Sequence, residues 1–154
     1  MPIIQDIKTH ENLQHLLEDL DEVILKLEGN VGGRAEDIIK KNSPLFGERL
    51  LAYLKEEKSE GNAIAEALND LKKELEKTET LDLSVAITPS DKFIDAVFEW
   101  VRKNLGDKVV VNFKKNPSIV GGAIVSYKGQ YGDFSISKKL KKELNRLRDQ
   151  KAQI

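Results

Sequence analysis

No cysteine occurs among the 154 residues, which removes disulfides, thiolate zinc sites and cysteine nucleophiles from consideration. Histidine is nearly as scarce. Only His10 and His15 are present, and five residues apart on a helix they diverge by roughly 140° at 100° per residue. They cannot clamp one metal ion as an i, i+4 pair would. No apolar run approaches the ~20 residues that span a bilayer, and the N-terminus lacks a basic stretch followed by an apolar one. The expected setting is the cytosol, with membrane contact only through partners. Ser118, Ser135 and Ser137 have no histidine in their half of the chain, and no nucleophile elbow is present. The carboxylates lie interleaved with lysines on polar faces, the pattern of solvated surfaces, and none pairs off for acid–base work. Neither a catalytic role, a cofactor nor a metal is expected.

What is abundant is charge and aliphatic residues. With 33% charged and 40% hydrophobic residues, the chain reads as folded, one ordinary domain or two small ones. The net charge of −1 hides an asymmetry: residues 1–80 hold 11 Lys and Arg against 18 Asp and Glu, whereas residues 81–154 hold 14 against 8. Such a charge dipole suits separate partners for the two halves.

Met1 to Thr9 carries no readable pattern. From His10 to Glu28, Leu13, Leu17, Leu20, Ile24 and Leu27 alternate spacings of four and three, with Leu16 and Val23 widening the stripe, so an amphipathic helix ends at Gly29. The loop Gly29-Asn30-Val31-Gly32-Gly33-Arg34 has the glycines of a phosphate cradle. It lacks a GKS or GKT ending and follows a helix, so it reads as an inter-helix linker. A short helix at Ala35 to Lys41 buries Ile38 and Ile39. Ser43-Pro44 then reads as an N-cap and first helical residue, opening a helix to about Glu57 that buries Leu45, Phe46, Leu50, Leu51 and Leu54. A fourth helix to about Lys77 presents Ile64, Leu68, Leu71 and Leu75 in a narrow seam, suited to one partner helix, from this chain or from another protein.

The period changes near Glu79, the one candidate boundary, giving a helical domain over 1–79 and a small α/β domain over 80–154. Leu81, Leu83, Val85 and Ile87 alternate with polar residues as a half-buried strand. Thr88 or Ser90 caps a helix to Leu105 whose Phe93, Ile94, Val97, Phe98, Trp100, Val101 and Leu105 form a sheet-covering face, Trp100 being read as core. A strand at Val109 to Phe113 completes a parallel unit. Asn116 to Leu140 follows: a proline turn, the pair Gly121-Gly122, a strand from Ala123 to Tyr127, a turn at Lys128-Gly129-Gln130, a return strand to Phe134 and an N-cap at Ser135. Ser137 to about Lys151 sets Leu140, Leu144 and Leu147 opposite a basic face. The fold class expected is α+β, an N-terminal helical bundle followed by a small α/β unit of strand-helix-strand, hairpin and helix.

Pro117-Ser118-Ile119-Val120-Gly121-Gly122 matches a Pro-Ser-aliphatic-aliphatic-Gly-Gly pattern, and Asp133, Ser135, Ile136 and Leu140 match Asp-x-Ser-aliphatic-x-x-x-Leu. In this order, one hairpin apart, they resemble the C-terminal region of the delta subunit of F-type ATP synthases, called the oligomycin-sensitivity-conferring protein in mitochondria. The resemblance covers roughly Asn62 to Leu147. It implies a non-catalytic peripheral-stalk subunit linking the catalytic head to membrane-anchored stalk helices, peripheral to the membrane on its cytoplasmic side, or on the matrix or stroma side in an organelle. Leu140, Leu144 and Leu147, with Ile64, Leu68, Leu71 and Leu75, are the candidate partner-binding stripes; Pro117, Ser118, Gly121, Gly122, Asp133, Ser135 and Leu140 form the structural motif. The family's N-terminal bundle is larger than the four helical segments here. A shortened form, a truncated or redesigned chain, and the E-type stalk subunit of archaeal and vacuolar enzymes stay open. A different class of function, nucleic-acid binding through Lys114, Lys115, Lys128 and the final helix, lacks the exposed aromatics of a single-strand binder.

Overall fold

The chain enters its own core earlier than its periodicity suggests. The computed structural model describes residues 2–29 and 32–133, together with 142, 144–146 and 149, and it opens with α1 (Pro2–Asp6). Ile3, Ile4 and Ile7 are buried within the helical core. Five residues are too few for a 3.6-residue pattern to declare itself, which is why this segment carried no readable signal.

α2 (His10–Glu28) is the spine of the helical half. Thr9 caps it, its Oγ1 accepting the Asn12 N–H at 3.2 Å and satisfying one donor that the first turn leaves orphaned. Leu13, Leu16, Leu20, Val23 and Ile24 are buried along it. α5 (Ala63–Glu76) lies against that stripe and contributes Leu68, Leu71 and Leu75, all at 0% exposure. Each such burial is worth about 1.5–3 kcal/mol. The narrow seam is thus filled from within the chain, with Ile64 half-buried at its end.

α3 (Ala35–Asn42) and α4 (Gly47–Glu56) close the bundle. Here the expected helix start moves. Ser43 finishes α3 instead of capping α4: its N–H donates to the Ile39 carbonyl at 2.9 Å and its hydroxyl donates to Asp19 Oδ2 at 2.7 Å. Pro44 to Phe46 form a turn, and α4 begins only at Gly47, where an added Cβ would sit 3.3 Å from the Lys40 backbone. The turn points Phe46 inward at 1% exposure and leaves Leu45 outside at 62%.

The second half is a four-stranded mixed sheet in the order β2-β1-β3-β4, built from β1 (Glu79–Val85), β2 (Val109–Lys115), β3 (Ala123–Tyr127) and β4 (Gln130–Asp133), so the fold is α+β. β1 and β2 run parallel with Leu81 beside Val111, while β3 returns antiparallel with Val125 beside Leu83. α6 (Asp91–Leu105) makes the crossover and is capped by Ser90, whose Oγ accepts the Phe93 N–H. β1 stops two residues short of the expected end, leaving Ile87 74% exposed. Lys128 and Gly129 both take positive φ, the mirror-image turn that matches the twist of a two-residue hairpin.

The halves meet at β2. Val110 packs with the helical cluster, while Val109 and Val111 pack under α6. The strap at Lys8 and Thr9 seals the outer edge of β2, the Lys8 carbonyl accepting the Val111 N–H at 3.2 Å. Because Ile7, at 1% exposure, anchors that strap, Ile7→Ala should lower stability by about 2–5 kcal/mol. Urea unfolding should show an earlier midpoint at unchanged slope; a midpoint equal to the parent's would mean that the strap is not part of the core.

Candidate functional site

The apolar arc of α6 is wider than the part of it that is buried. At 100° per residue, Trp100 through Phe98 span roughly 160°. One flank, Phe98 and Val101, is buried. The other overhangs open sheet, leaving Trp100 57% and Phe93 41% exposed, against the expectation that Trp100 is core. The result is an open groove of about 590 Å³ between α6 and the faces of β1 and β3, lined by Leu81, Leu83, Phe93, Val97, Trp100, Ala123, Val125 and Tyr127 among others. Every one of those side chains presents apolar surface. Phe93 also meets Phe113 edge-on, with ring centroids 6.2 Å apart.

The proline–glycine motif leads into β3 and lines a neighbouring cleft. Asn116 extends the ladder by donating its N–H to the Val85 carbonyl at 2.8 Å, and its Oδ1 accepts both the N–H and the hydroxyl of Ser118. That bracket holds the turn at Pro117 so that Ile119 tucks inside at 3% exposure. Gly121 and Gly122 then line a second cleft of about 490 Å³ with Ala86 to Ser90 and Phe93, the last of which also lines the first. Gly122 has φ 77, a conformation that a β-branched residue strongly resists. Asp133 closes the hairpin opposite Ile124. Ser135, Ile136, Leu140 and Leu147, and most of the basic helix, lie outside the described residues; Leu144 is described and is 56% exposed.

On the opposite face of the sheet, Val110 meets the helical core and the positions beyond it are polar. Asp82 accepts from Asn112 Nδ2 at 2.7 Å and pairs with Lys114 at 3.1 Å. Burial alone would raise its pKa, but those two hydrogen bonds and the Lys114 charge prevail and hold it below the usual aspartate range. At the other end of β1, in phase with Leu81 and Leu83, Lys128 and Tyr127 hydrogen-bond Glu79 and lower its pKa, Lys128 at 2.8 Å. Lys114 and Lys128, two cations of the nucleic-acid reading, are therefore each engaged by a carboxylate. Among the described residues no three His, Cys, Asp or Glu groups are arranged to hold a metal, and no helix is long and apolar enough to cross a membrane.

Two outcomes follow from this geometry. Gly122→Val should cost about 1–3 kcal/mol, the cost of forcing a strained backbone position, read as a lowered melting temperature. Asp82 and Glu79 have folded-state pKa values below their ordinary ones, so the unfolded chain binds more protons at low pH and their contribution is complete above the ordinary carboxylate range. It is lost as pH falls through the depressed folded values. Asp82→Asn should flatten that acid-side loss while changing neutral-pH stability by no more than about 1 kcal/mol, the scale of a solvent-screened pair. An unchanged acid limb would contradict the assignment.

Comparison with known proteins identifies the family. The family model described as ATP synthase delta (OSCP) subunit matches residues 38–147, well over half of the chain. A curated relative, ATP synthase subunit delta of Syntrophobacter fumaroxidans (strain DSM 10017 / MPOB), is 30% identical over 82 residues, 53% of this chain and 43% of that protein. The chain thus spans less than half the length of that relative. A chain from the cryo-electron-microscopy structure of the Polytomella F-ATP synthase, in primary rotary state 3, overlaps 51% of this chain and 100% of its own length, at 19% identity and a TM-score of 0.41. The matched segment takes in the end of α3, all of α4, α5 and α6, the whole sheet and the proline–glycine motif, and on that evidence the chain belongs to the ATP synthase delta (OSCP) subunit family.

Proposed function

We propose that this protein is a non-catalytic peripheral-stalk subunit of a rotary proton-translocating ATP synthase, linking the catalytic head to membrane-anchored stalk helices. The observation that carries the reading is the family match over residues 38–147; the groove over β1 and β3 gives it a physical means. An amphipathic stalk helix needs an apolar slot about one helix wide, and the groove beside Trp100 is such a slot. The half that contains it is basic, and the acidic helical half is left to approach the head. The protein would lie on the cytoplasmic side of the membrane, or on the matrix or stroma side in an organelle, held there through its partners. Leu140, Leu144 and Leu147 belong to the same proposed docking region. Leu68, Leu71 and Leu75 serve it indirectly, by stiffening the bundle from inside.

Titration calorimetry against a stalk-helix peptide tests this. Binding should show a negative heat-capacity change from apolar burial and only moderate salt sensitivity. Trp100→Ala should weaken it by about 2 kcal/mol, as for an aromatic anchor in a pocket. Tight binding to single-stranded RNA that falls steeply with salt, with no peptide binding, would instead establish the nucleic-acid reading.

A further inference from the structure

We infer, resting on the stalk reading above, that the groove beside Trp100 selects a partner helix with acidic residues along one flank of its apolar stripe, and that Lys92 and Lys103 are the residues that read them. At 100° per residue, Trp100, Ala96, Lys103 and Lys92 follow one another around α6 over roughly 80°. Trp100 and Ala96 line the groove. Lys103 and Lys92 come within roughly 40° of Ala96 and so stand along its rim. Both are exposed, and among the described residues neither has an ion-pair partner.

The neighbouring charges are turned away or already matched. Glu99 is set roughly 20° further round than Lys92. Asp95 pairs with Lys8 at 2.7 Å, Arg102 with Asp107 at 3.2 Å, and Lys128, beside Tyr127, with Glu79 at 2.8 Å. The opposite wall is uncharged, since Gln130 and Gly132 pair with Tyr127 and Val125 and share their face. The charge on the rim is therefore positive and one-sided.

Lys92 and Lys103 are eleven residues apart, about 16 Å along α6 at 1.5 Å per residue. On a partner helix the same eleven residues make about three turns and return two side chains to within roughly 20° of each other. Two Asp or Glu residues at that spacing face both lysines at once, and the lysine stems lie along apolar surface while their ammonium groups reach the acids. Direction follows as well. With only one rim charged, a helix whose acids lie on one flank of its stripe brings them to α6 in one orientation; reversed, it turns them toward β3 and β4. Two exposed ion pairs add little to affinity, but they discriminate, because like charges at the same places repel.

Three designed helical peptides of about 18 residues, tryptophan-free and sharing one leucine stripe, test this; two flank positions eleven apart carry glutamate, glutamine or lysine. Binding to the full chain is followed by the emission of Trp100, its only tryptophan. The glutamate peptide should bind about fivefold more tightly than the glutamine peptide, and the lysine peptide about fivefold more weakly, with the differences shrinking in about 1 M salt. This series on the parent decides the question without any variant. In a Lys92→Glu, Lys103→Glu protein, with unchanged circular dichroism, the order should reverse, whereas Lys115→Glu, the same charge change on β2 away from the groove, should keep it. Moving the glutamates to the opposite flank should reverse the bound direction. A nitroxide on the peptide's N-terminus should then quench Trp100, which lies nearer the C-terminal end of α6, to a different extent. Equal affinities for the three peptides, an order that the double reversal leaves intact, a reversal by Lys115→Glu, or equal nitroxide quenching for the two flanks would overturn the inference and leave the groove as a helix site. Binding by none of the peptides would overturn the stalk reading of the groove itself, and the roles of Lys92 and Lys103 with it.

Discussion

Three consecutive valines, Val109, Val110 and Val111, hold the two halves of this molecule together. As β2 they alternate sides, so Val110 enters the helical core and its neighbours enter the core beneath α6. A strand buried on both faces must be apolar at every position, and these three are at 3%, 1% and 0% exposure. The parallel pairing with β1 depends on them, as does the strap at Lys8 and Thr9 that seals the outer edge of β2. A polar side chain at Val110 would stand among Leu and Ile side chains with no hydrogen-bonding partner of its own making.

That arrangement fills the seams of the bundle and leaves an apolar groove of the sheet open. The bundle fills its seams internally, and Ser43, its one buried polar residue among those described, is satisfied by Asp19. The sheet, by contrast, gives one face half to α6 and half to solvent. Exposed apolar area that includes an aromatic ring weakens folding, so its retention points to a partner surface that is covered in use. The ion pairs between neighbouring strands are exposed and individually weak, and they set register more than stability.

The titratable groups that do meet, Asp82 with Lys114 and Glu79 with Lys128, tie neighbouring strands on the surface and face no cavity lined by other reactive groups. These pairs fix the register of the strands they join.

Patterns with a full period could be read directly. The 19-residue stripe of α2, the alternation of Leu81, Leu83 and Val85, and the turn chemistry at Pro117 and Gly122 each declare local geometry, because backbone sterics and burial period are properties of neighbouring residues. Where a decision required distant atoms, the pattern was silent or misleading. α1 is too short to show a period, yet Ile3, Ile4 and Ile7 are core because α4 and the bundle wait above them. Ser43 looks like a helix start, but the Asp19 carboxylate 24 residues away draws its hydroxyl into the end of α3. Trp100 shares a helical face with Phe98, and periodicity makes both core; only the width of the sheet, set by how β3 pairs with β1, decides that Phe98 is covered and Trp100 is not. Local sterics and period thus belong to the sequence alone, whereas which half of an apolar face meets water belongs to the packing of elements far apart in the chain.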